Sequence, residues 1–543
     1  MKHKFLFVVG GVMSGVGKGT STAALGLTLR SKGYTVTAIK IDPYVNVDAG
    51  TMNPVEHGEV FVTVDGDETD QDIGNYERFL DIDITKINYM TTGRVYLSVI
   101  EKERRGGYGG KCVEVVPRVP EEVIARIDRA AKESKADFVL IEIGGTVGEY
   151  ENILFLEALR MMRLRDPDSV RTILVSYLPV PPSIGEMKTK PTQHAVREIN
   201  RVGIAPDFII CRSEHALDEP RKEKLSRFCG VPQAHIITAQ NARSIYEVPM
   251  LFERQQFADT VLKSFHMKAK PSNLAPWEKL VDTLSSVKKE VRIGVIGKYF
   301  STGDFTLSDA YISVLEAIKH AAWANGCKPV IEWLNSEQYE KDPATLKELL
   351  QYDGILIPGG FGSRGIEGKI AAIGYARKHK IPYLGLCYGM QCAVIEFART
   401  ELGWKDAHTT EIDEKTTHPV IHIMADQTEK LAGQGMGGTL RLGSYPCTLA
   451  KGTQSRKAYG AEEISERHRH RYEFNNEFRE ELERAGLVIA GASPDDRLVE
   501  IVEVKDHPFF VGVQFHPEFQ SRPLSPHPLF VSFMKAAKTK VKA

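Results

Sequence analysis

Short apolar runs that end in glycine or a polar residue recur along the whole chain and constrain its fold more than any other feature. KFLFVV at residues 4–9 precedes Gly10-Gly11, and VRIGVI at residues 291–296 precedes Gly297. Strands without polar alternation are typical of parallel sheets that helices cover on both faces. Further apolar runs lie at residues 138–141, 172–175, 355–357 and 510–513, and helical patterns lie between them, for example at residues 121–134 and 307–322. This alternation predicts an α/β protein.

A break in the pattern divides the chain near its middle. Residues 266–290 contain Pro271 and Pro276 and are rich in charge, with one short helical pattern that starts near Trp277. We therefore predict two doubly wound, mainly parallel-sheet domains at residues 1–266 and 291–543. An interdomain linker at residues 267–290 is predicted to join them.

Composition excludes several classes of protein. The 70 Lys and Arg residues balance the 71 Asp and Glu residues, so the basic excess of proteins that coat nucleic acid is missing. The sequence has no stretch of about 18 apolar residues, which a membrane span would need. Its apolar opening is too short for a signal peptide. Seven cysteines without a Cys-x-x-Cys pair argue against a disulfide framework or a structural zinc site. We expect a cytoplasmic enzyme that binds neither nucleic acid nor membrane.

The glycine-rich turn after the first apolar run, GGVMSGVGKGT, predicts a phosphate-binding loop. Backbone N–H groups and a helix N-terminus face the anion in such a turn, and Lys18 reaches the terminal phosphates. The P-loop pattern is matched imperfectly, because Val12 replaces its first Gly and the hydroxyl is displaced to Thr20. We therefore expect carboxylates to hold more of a bound magnesium ion. The alternative is a tight turn that only allows helix and strand to pack.

Charged residues follow other apolar runs of the first half. Glu142 ends FVLIEI, at the edge where open α/β sheets bind ligands, and a buried carboxylate there needs a partner such as Mg²⁺. Five carboxylates crowd residues 65–72, which a solvated acidic loop would explain equally well. Lys188 and Lys190 stand just before Pro191 and a helical pattern. They suit the polyphosphate of a second nucleotide or, alternatively, form an exposed basic turn.

The second half contains the thiol form of a nucleophile elbow. Gly385-Leu386-Cys387-Tyr388-Gly389 follows an apolar run and precedes a helical pattern. The flanking glycines permit a cramped strand-to-helix turn, and the helix N-terminus favours thiolate over thiol. We predict that Cys387 is a nucleophile, whereas the other six cysteines are best interpreted as small buried hydrophobes.

A thiol nucleophile needs a base and a group that orients the base. His516 and Glu518 follow the run FFVGV and lie two residues apart, so they project to the same side of an extended segment. The glycine turn at residues 358–362 offers backbone N–H groups for an oxyanion hole. The run RHRHRY at residues 467–472 suits anion recognition or a buried ion-pair network better than a metal, because its arginines would repel a cation.

These motifs resemble the CTP synthase family over essentially the whole chain. The matching segments include GGVMSGVGKG, KIDPYVNVDAGTMNP, DGDETDQDIGNYERF, IEIGGTVGEYE, GEMKTKPTQH, PGGFGSRG, GLCYGMQ, GTLRLG, RHRHRYEFNN and QFHPEF. The resemblance implies a P-loop amidoligase (synthetase) domain followed by a class I glutamine amidotransferase domain. It implies ATP-dependent amination of UTP to CTP through a 4-phosphorylated UTP intermediate, with ammonia released from L-glutamine. Mg²⁺ as cofactor, activation by GTP, inhibition by CTP and a homotetramer are further implications.

The resemblance also implies a role for each matching residue. The ATP-binding residues are Ser14, Gly15, Val16, Gly17, Lys18, Gly19, Thr20, Lys40 and Asp72, and the Mg²⁺ ligands are Asp72 and Glu142. The residues for UTP or CTP are Ser14, Glu149, Glu151, Arg160, Lys188, Lys190, Gln193 and Lys224. The glutamine-binding residues are Gly360, Phe361, Gln391, Glu411 and Arg471, beside the catalytic Cys387, His516 and Glu518. GTLRLG at residues 438–443 resembles a lid associated with activation by GTP.

Two positions depart from the family pattern, and two other functions stay open. Glu149 stands where Asp is expected, which could alter inhibition by CTP, and QNARSIYEVP at residues 240–249 has an unusual start, which could alter the adenine pocket. One alternative is another glutamine-dependent P-loop amidoligase that acts on a carboxylate substrate and would not need GEMKTKPTQH. The other is a non-catalytic, filament-forming assembly protein, against which the joint presence of Lys18 and the Cys387 set argues.

Overall fold

The computed structural model describes residues 3–297, 301–302, 305–306, 308–424, 427 and 438–539. Packing divides the described chain into two compact units. Unit 1 comprises the described residues of Met1–Asp48 and Asn75–Val281, and unit 2 those of Ala49–Gly74 and Asp282–Ala543. Residues 49–74 thus pack within the second unit, although they precede most of the first in sequence. The boundaries at residues 266 and 291 stay predictions of the sequence.

The elements before residue 290 alternate between strands and helices. The strands are β1 Lys4–Gly10, β2 Val36–Asp42, β3 Phe61–Val62, β4 Glu68–Thr69, β5 Tyr89–Thr91, β6 Phe138–Thr146, β7 Val170–Tyr177, β8 Phe208–Ser213 and β9 Ile236–Gln240. The α-helices are α1 Lys18–Ser31, α2 Pro54–His57, α3 Asp72–Leu80, α4 Thr92–Arg104, α5 Val115–Ser134, α6 Ile153–Arg165, α7 Lys190–Arg201, α8 Glu219–Cys229, α9 Val248–Arg254, α10 Phe257–Ser264 and α11 Ala275–Ser286. Short 3₁₀ turns lie at Lys86–Asn88, Gln233–His235 and Ile245–Glu247.

Seven strands of unit 1 form one sheet in the order β5-β2-β6-β1-β7-β8-β9. The central strand β1 pairs in parallel with β6 and β7. Every residue from Phe5 to Gly10 is buried, because helices cover both faces of the sheet. This burial explains the absence of polar alternation in β1, and it brings the carboxyl ends of β1 and β6 to the same edge.

The elements after residue 290 build the sheet of unit 2. The strands are β10 Glu290–Gly297, β11 Ser301–Thr302, β12 Phe305–Thr306, β13 Lys328–Asn335, β14 Gly354–Ile357, β15 Tyr383–Leu386, β16 Ile421–Ile423, β17 Arg441–Leu449, β18 Glu463–His470, β19 Tyr472–Phe474, β20 Leu487–Ala492, β21 Val499–Val504 and β22 Phe510–Val513. The α-helices are α12 Ile312–Ala324, α13 Ser336–Lys341, α14 Ile366–Lys378, α15 Tyr388–Glu401, α16 Gln454–Tyr459, α17 Arg479–Arg484 and α18 Pro528–Thr539. Further 3₁₀ turns lie at Ser308–Tyr311, Pro343–Gln351, Asn476–Phe478 and Pro517–Gln520.

The main sheet of unit 2 has nine strands in the order β13-β10-β14-β15-β22-β21-β20-β17-β18. The first five strands are parallel, and the sheet continues through β21, β20, β17 and β18 in antiparallel pairing. Buried apolar side chains fill both faces. The predicted α/β class with two doubly wound domains is confirmed, and the antiparallel extension was not foreseen in the sequence.

Residues 49–74 are held in unit 2 by polar and aromatic contacts. Glu59 is buried, and its carboxylate accepts the backbone N–H of Ser313 at 3.1 Å, at the start of α12. A carboxylate at a helix N-terminus satisfies N–H groups that have no partner within the helix. Phe61 packs on Phe519 with ring centroids 5.0 Å apart, and the Glu68 carboxylate forms an ion pair with Arg469 at 2.8 Å.

The helices that follow the two predicted site turns begin without a side-chain cap, as several other described helices do. Asp218 caps α8 by accepting the Arg221 N–H, whereas α1 begins after Gly17 and α15 begins after Cys387 with no side-chain cap. Uncapped N–H groups at a helix start are available to an anion. Among the described residues, none of the helices combines the length and apolar character that a membrane crossing requires.

Candidate active sites

The glycine-rich turn of unit 1 connects the central strand β1 to α1. Val12, Gly15 and Gly17 all have positive φ angles, of 79°, 68° and 87°. These left-handed residues bend the backbone so that its N–H groups form a concave surface, as in anion-binding loops. The Lys18 Nζ donates a hydrogen bond to the Gly145 carbonyl at 2.9 Å, at the end of β6. Lys18 therefore lies beside the carboxyl ends of β1 and β6, and its contact with phosphate stays a prediction.

A small cavity of about 80 Å³ adjoins this turn. It is lined by Gly17, Thr20, Ser21, Arg212, Ala239, Ala242, Ile245 and Val248. Arg212 was not singled out in the sequence, although it ends the apolar strand β8, at the edge where ligands bind. Its Nε would lie 3.4 Å from a Cβ built on Gly17, and burial lowers the pKa of its guanidinium. The unusual segment at residues 240–249 contributes to the wall of this cavity, where we expected an adenine pocket.

Buried charges lie on the strands beside the turn. Glu142 on β6 is 1% exposed, and its carboxylate accepts the Lys40 Nζ at 3.1 Å from β2. The Tyr76 hydroxyl donates to the other oxygen of Glu142, and Lys40 also pairs with Asp42 at 3.7 Å. Carboxylate oxygens are the ligands that Mg²⁺ prefers, and the ion often uses only one or two of them together with substrate phosphates. The donor set around Glu142 therefore fits a magnesium ion.

Asp72, the second predicted ligand, is the first residue of α3. Its backbone N–H donates to the Asp70 carboxylate at 2.8 Å, and it belongs to the unit 2 side of the division at Gly74. Among the described residues there is no group of three or more His, Cys, Asp or Glu side chains arranged to hold a metal ion. The pairing of Asp72 with Glu142 stays a prediction.

The residues predicted for UTP and CTP lie on five segments of unit 1, of which the turn before α1 contains Ser14. Glu149 follows β6, and its carboxylate accepts the Thr146 N–H at 2.7 Å; Glu151 is exposed. Arg160 on α6 is paired with Glu157 at 2.7 Å. The last two segments hold Lys188, which pairs with Glu186 at 2.6 Å, Lys190 and Gln193 in the first turn of α7, and Lys224, which is exposed on α8.

The predicted elbow of unit 2 is present at the carboxyl end of β15. Cys387 has a positive φ of 49°, and α15 starts at the next residue. A Cβ on Gly389 would lie 2.3 Å from the Ile357 carbonyl, and one on Gly385 would lie 2.8 Å from the Gly389 backbone. Both glycines of the motif are therefore required by close backbone packing, and the strained Cys387 is fixed by its surroundings.

The neighbouring strand β22 supplies the predicted base. The His516 Nδ1 and a Glu518 carboxylate oxygen are 2.7 Å apart, and both side chains are buried. The imidazole stacks on Phe519 with ring centroids 5.1 Å apart, and a Cβ on Gly359 would lie 2.7 Å from its Cε1. Burial opposes protonation of His516, but the Glu518 carboxylate and then Cys387 outweigh it and raise its pKa to about 10. The Glu518 carboxylate thus favours the protonated form of His516 and makes its imidazole a stronger base.

A cavity of about 610 Å³ within unit 2 joins these groups. Its walls include the predicted Gly360, Phe361, Cys387, Glu411, Arg471, His516 and Glu518. The remaining lining residues are Gly50, Thr51, Met52, Pro54, Glu59, Val60, Ala310, Tyr311, Gly359, Leu440, Arg469, Tyr472 and Phe519. Because β14, β15 and β22 are parallel neighbours, their carboxyl ends deliver the glycine turn, the thiol and the imidazole to one place. Gln391 does not line the cavity and lies buried behind it.

Opposite charges face this cavity from two other segments. The Glu411 carboxylate accepts the Gly362 N–H at 2.7 Å, beside the glycine turn. Arg471 donates to the Gln427 side-chain oxygen at 3.2 Å and to the Thr439 hydroxyl at 2.9 Å. A carboxylate and a guanidinium in one cavity match the ammonium and carboxylate groups of an α-amino acid.

Several cavity residues were missed in the sequence. Arg469 carries its guanidinium 5.4 Å from the Phe361 ring centroid, and its carbonyl lies 3.8 Å from the Cys387 Sγ. The alternation in RHRHRY was the available signal, since Arg469 and Arg471 are two residues apart and both line the cavity. Residues 50–60 gave no comparable signal, because nothing local to that segment indicates that it packs on unit 2.

Comparison with known proteins covers both halves of the chain. Residues 4–267 match the family model of the CTP synthase N-terminus, and residues 306–536 match that of class-I glutamine amidotransferases. A CTP synthase from Carboxydothermus hydrogenoformans is 52% identical over 98% of this chain and 98% of its own length. One from Trichormus variabilis is 51% identical over 98% of this chain and 96% of its own length. The solved glutaminase domain of a Trypanosoma brucei CTPS with bound acivicin is 40% identical, with a TM-score of 0.42, and covers 46% of this chain and 95% of that one.

Proposed function

The chain belongs to the CTP synthase family, and from that premise we propose how its residues divide the reaction. The resemblance noted in the sequence is confirmed, and the protein is a glutamine-dependent ligase. We propose that unit 2 releases ammonia from L-glutamine and that unit 1 uses ATP to activate UTP for amination to CTP. The observation that carries the proposal is the single cavity that contains Cys387, His516 and Glu518.

The proposed glutaminase reaction begins with proton transfer from the Cys387 Sγ to His516. The thiolate attacks the side-chain amide carbon of glutamine, and the carbonyl electrons move onto the oxygen. Backbone N–H groups of Gly360 and Phe361 receive that oxyanion. His516 returns its proton to the departing ammonia, and water then hydrolyses the thioester to glutamate. Glu518 orients the imidazole and stabilises its positive charge while His516 carries the proton.

The position of the glutamine backbone follows from the charges of the cavity. We assign Arg471 to the α-carboxylate and Glu411 to the α-ammonium group of glutamine. Charge-assisted hydrogen bonds of this kind are short and directional. They would orient the amide carbon toward Cys387, which holds reactant and nucleophile at one place and removes much of the entropic cost of the encounter.

The proposed synthetase reaction solves a leaving-group problem. The oxygen at C4 of UTP is a poor leaving group, and transfer of the ATP γ-phosphoryl group to it turns phosphate into the departing group. Lys18 and the uncapped start of α1 neutralise the phosphate charge during this transfer. Ammonia then adds at C4 and phosphate leaves. Ammonium is not nucleophilic and dominates at neutral pH, which accounts for a glutaminase on the same chain.

A magnesium ion is part of the proposal. Glu142 and Asp72 would hold it, and the buried carboxylate of Glu142, which Lys40 now balances, is the residue that fits best. When bound, the ion would supply positive charge to the phosphate oxygens of ATP. Lys40, which lies 3.1 Å from the Glu142 carboxylate, would add positive charge for the phosphates of ATP.

Nucleotide regulation and assembly complete the proposal. We assign UTP to Lys188, Lys190, Gln193 and Lys224, and feedback by CTP to Glu149, Glu151 and Arg160. Activation by GTP is assigned to the segment at residues 438–443, where the Thr439 hydroxyl accepts a hydrogen bond from Arg471. A homotetramer in the cytoplasm is proposed from the family alone.

One assay separates this proposal from a ligase that acts on a carboxylate. The purified chain is given ATP, Mg²⁺ and glutamine with either UTP or a panel of carboxylate acceptors, and both ADP and CTP are quantified with and without GTP. We expect ADP and CTP to form in equal amounts with UTP, faster with GTP. Acceptor-dependent ADP formation with a carboxylate, and none with UTP, would overturn the proposal.

A further inference from the structure

The side chain of Gln514 in unit 2 is directed at the sulfur of Cys387, the proposed nucleophile. Gln514 follows β22 and is 1% exposed. Its side-chain Nε2 lies 3.6 Å from the Cys387 Sγ, within hydrogen-bond range for sulfur. Its backbone is fixed, because the Gln514 N–H donates to the Glu500 carbonyl at 2.9 Å. None of the motifs read in the sequence assigned a role to this residue.

The orientation of the Gln514 amide follows from its neighbours. The Gln391 Nε2 donates to the Tyr472 backbone carbonyl at 2.9 Å, and a carbonyl can only accept, so this end of the Gln391 amide must be the nitrogen. The same nitrogen lies 3.3 Å from the Gln514 Oε1. Its second hydrogen therefore points to Gln514 and requires an oxygen there. The Gln514 NH₂ group is consequently the end that faces sulfur.

The two amides thus connect the Tyr472 carbonyl to Cys387. The Gln391 NH₂ group donates both to that carbonyl and to the Gln514 Oε1, and the Gln514 NH₂ group donates to the sulfur. Sulfur accepts weakly as a thiol and strongly as a thiolate, because hydrogen bonds to a charged acceptor are about twice as strong as neutral ones. The opposite neighbour of the thiol is the Arg469 carbonyl at 3.8 Å, which can accept an S–H but repels a thiolate. Gln514 is the group that offsets this repulsion.

We propose that Gln514 is a catalytic hydrogen-bond donor that stabilises the Cys387 thiolate. The inference deepens the proposed glutaminase function and rests on it. When the Cys387 S–H bond breaks and the proton forms an N–H bond on His516, the Gln514 N–H tightens onto the sulfur left behind. Because Tyr472 lines the cavity and its carbonyl accepts the hydrogen bond that orients Gln391, glutamine seated against Tyr472 would also order the Gln514 amide that faces the nucleophile.

The test is the pH dependence of Cys387 alkylation by iodoacetamide in the full chain. Gln514→Met keeps the length of the side chain and removes the donor. We expect the midpoint of the alkylation profile to rise by about one pH unit or more. Glutamine-dependent CTP formation at neutral pH should fall about tenfold to hundredfold, while ammonia-dependent formation stays unchanged. Gln454→Met is the matched control, because the Nε2 of that partly buried glutamine donates to the His507 carbonyl instead.

Two further measurements keep the outcome decisive. Gln514→Leu also removes the donor, but the leucine side chain differs in shape from methionine. If the midpoint of the alkylation profile rises in both variants, the rise comes from the lost donor and not from a packing change specific to one side chain. A midpoint equal to wild type in both, whether or not stability falls, overturns the role of Gln514. The proposed function is judged separately on wild type: alkylation must abolish glutamine-dependent but not ammonia-dependent CTP formation, and failure of that pattern contradicts the glutaminase role of Cys387.

Discussion

The two candidate sites of this chain are built on the same local design and differ in how tightly the turn is packed. In each unit a central parallel strand ends in a glycine-rich turn, and an uncapped helix starts directly after it. At the tip of the turn after β1, a Cβ on Gly15 would meet nothing within 4 Å, although one on Gly11 at its base would lie 2.6 Å from the Ala195 Cβ. At the elbow, a Cβ on Gly389 would lie 2.3 Å from a backbone oxygen. The difference agrees with the proposed functions, because the tip of a phosphate-binding turn must admit a ligand whereas a nucleophile must be immobilised.

The charged groups of the two sites differ in the same sense. Lys18 donates to a backbone carbonyl at 2.9 Å, a contact that phosphate can replace. His516 is enclosed between Gly359 and Phe519 and bound to Glu518 at 2.7 Å. The contact of Lys18 can thus be replaced by a ligand, whereas the position of His516 is fixed by its protein neighbours. The comparison predicts that substitutions in the two turns affect activity and stability differently.

Lys18→Ala should produce the largest effect. Loss of the cation that neutralises the transferring phosphoryl group should reduce CTP formation about a hundredfold to a thousandfold with either nitrogen source. Glutamine hydrolysis measured as glutamate release should be affected far less. Lys4→Ala is the control, because Lys4 starts the strand that leads into the turn and its ammonium contacts the Asp168 carbonyl and the Phe265 ring instead. Ammonia-dependent synthesis at the wild-type rate would remove Lys18 from phosphoryl transfer.

Gly389→Ala tests whether the elbow is as crowded as its geometry indicates. The added methyl group must displace the Ile357 carbonyl, which should cost about 1–3 kcal/mol of unfolding free energy and misplace Cys387. Glutamine-dependent synthesis should fall about a hundredfold or more, because small displacements of reacting groups cost that much. Ammonia-dependent synthesis should persist.

Gly403→Ala provides the reference for that experiment. Gly403 lies just beyond the other end of α15, with a φ of 72° and open space around it. Its substitution should cost only about 1 kcal/mol from the left-handed backbone, with both activities kept. Denaturant unfolding and the two activity assays compare the variants. Equal stability and equal activity of both alanine variants would show that the elbow is no tighter than a surface turn.

Glu518→Gln should have a smaller effect on rate and a distinct effect on pH dependence. The amide keeps a partner for His516 but removes the charge, which should slow glutamine hydrolysis about tenfold to hundredfold. Because the carboxylate raises the pKa of His516 toward 10, its loss should lower that pKa. The alkaline limit of glutaminase activity should then move to lower pH, which initial rates between pH 6 and pH 10 would reveal.

The raised pKa of His516 also makes the stability of the folded chain depend on pH. The pKa of His516 lies above its ordinary value of 6.5 in the folded chain, so protonation stabilises the fold fully below that value. The contribution is lost as the pH rises from about 6.5 toward 10. Chemical denaturation at several pH values should show a shallower decline for Glu518→Gln than for wild type. Parallel curves would contradict the electrostatic coupling between the two residues.

Local patterns in the sequence predicted the local parts of both sites. The G-x-C-x-G motif placed Cys387 between β15 and α15, and the spacing of His516 and Glu518 predicted their contact at 2.7 Å. These features depend on a turn or on residues two apart, which a single segment determines. The α/β class was predictable for the same reason, since burial on both faces leaves its mark on every strand.

Features that depend on distant partners could not be predicted. Residues 49–74 carry a short hairpin and a polar loop whose sequence does not indicate that Glu59 will meet the start of α12. Gln514 is an ordinary polar residue until the fold places Gln391 and Cys387 on either side of it. Arg212 is likewise recognised only when β8 lies near the phosphate loop. Such pairs are set by sheet order, which periodicity does not encode.

The central claim is that nitrogen is released in one unit and used in the other, and Cys387→Ala tests it most directly. CTP formation is measured in the full-length variant with glutamine and, separately, with ammonium salts at a pH that supplies free ammonia. The account predicts that the glutamine-dependent rate falls to background while the ammonia-dependent rate stays close to wild type. A parallel loss of both activities in a folded variant, or retention of both, would contradict it.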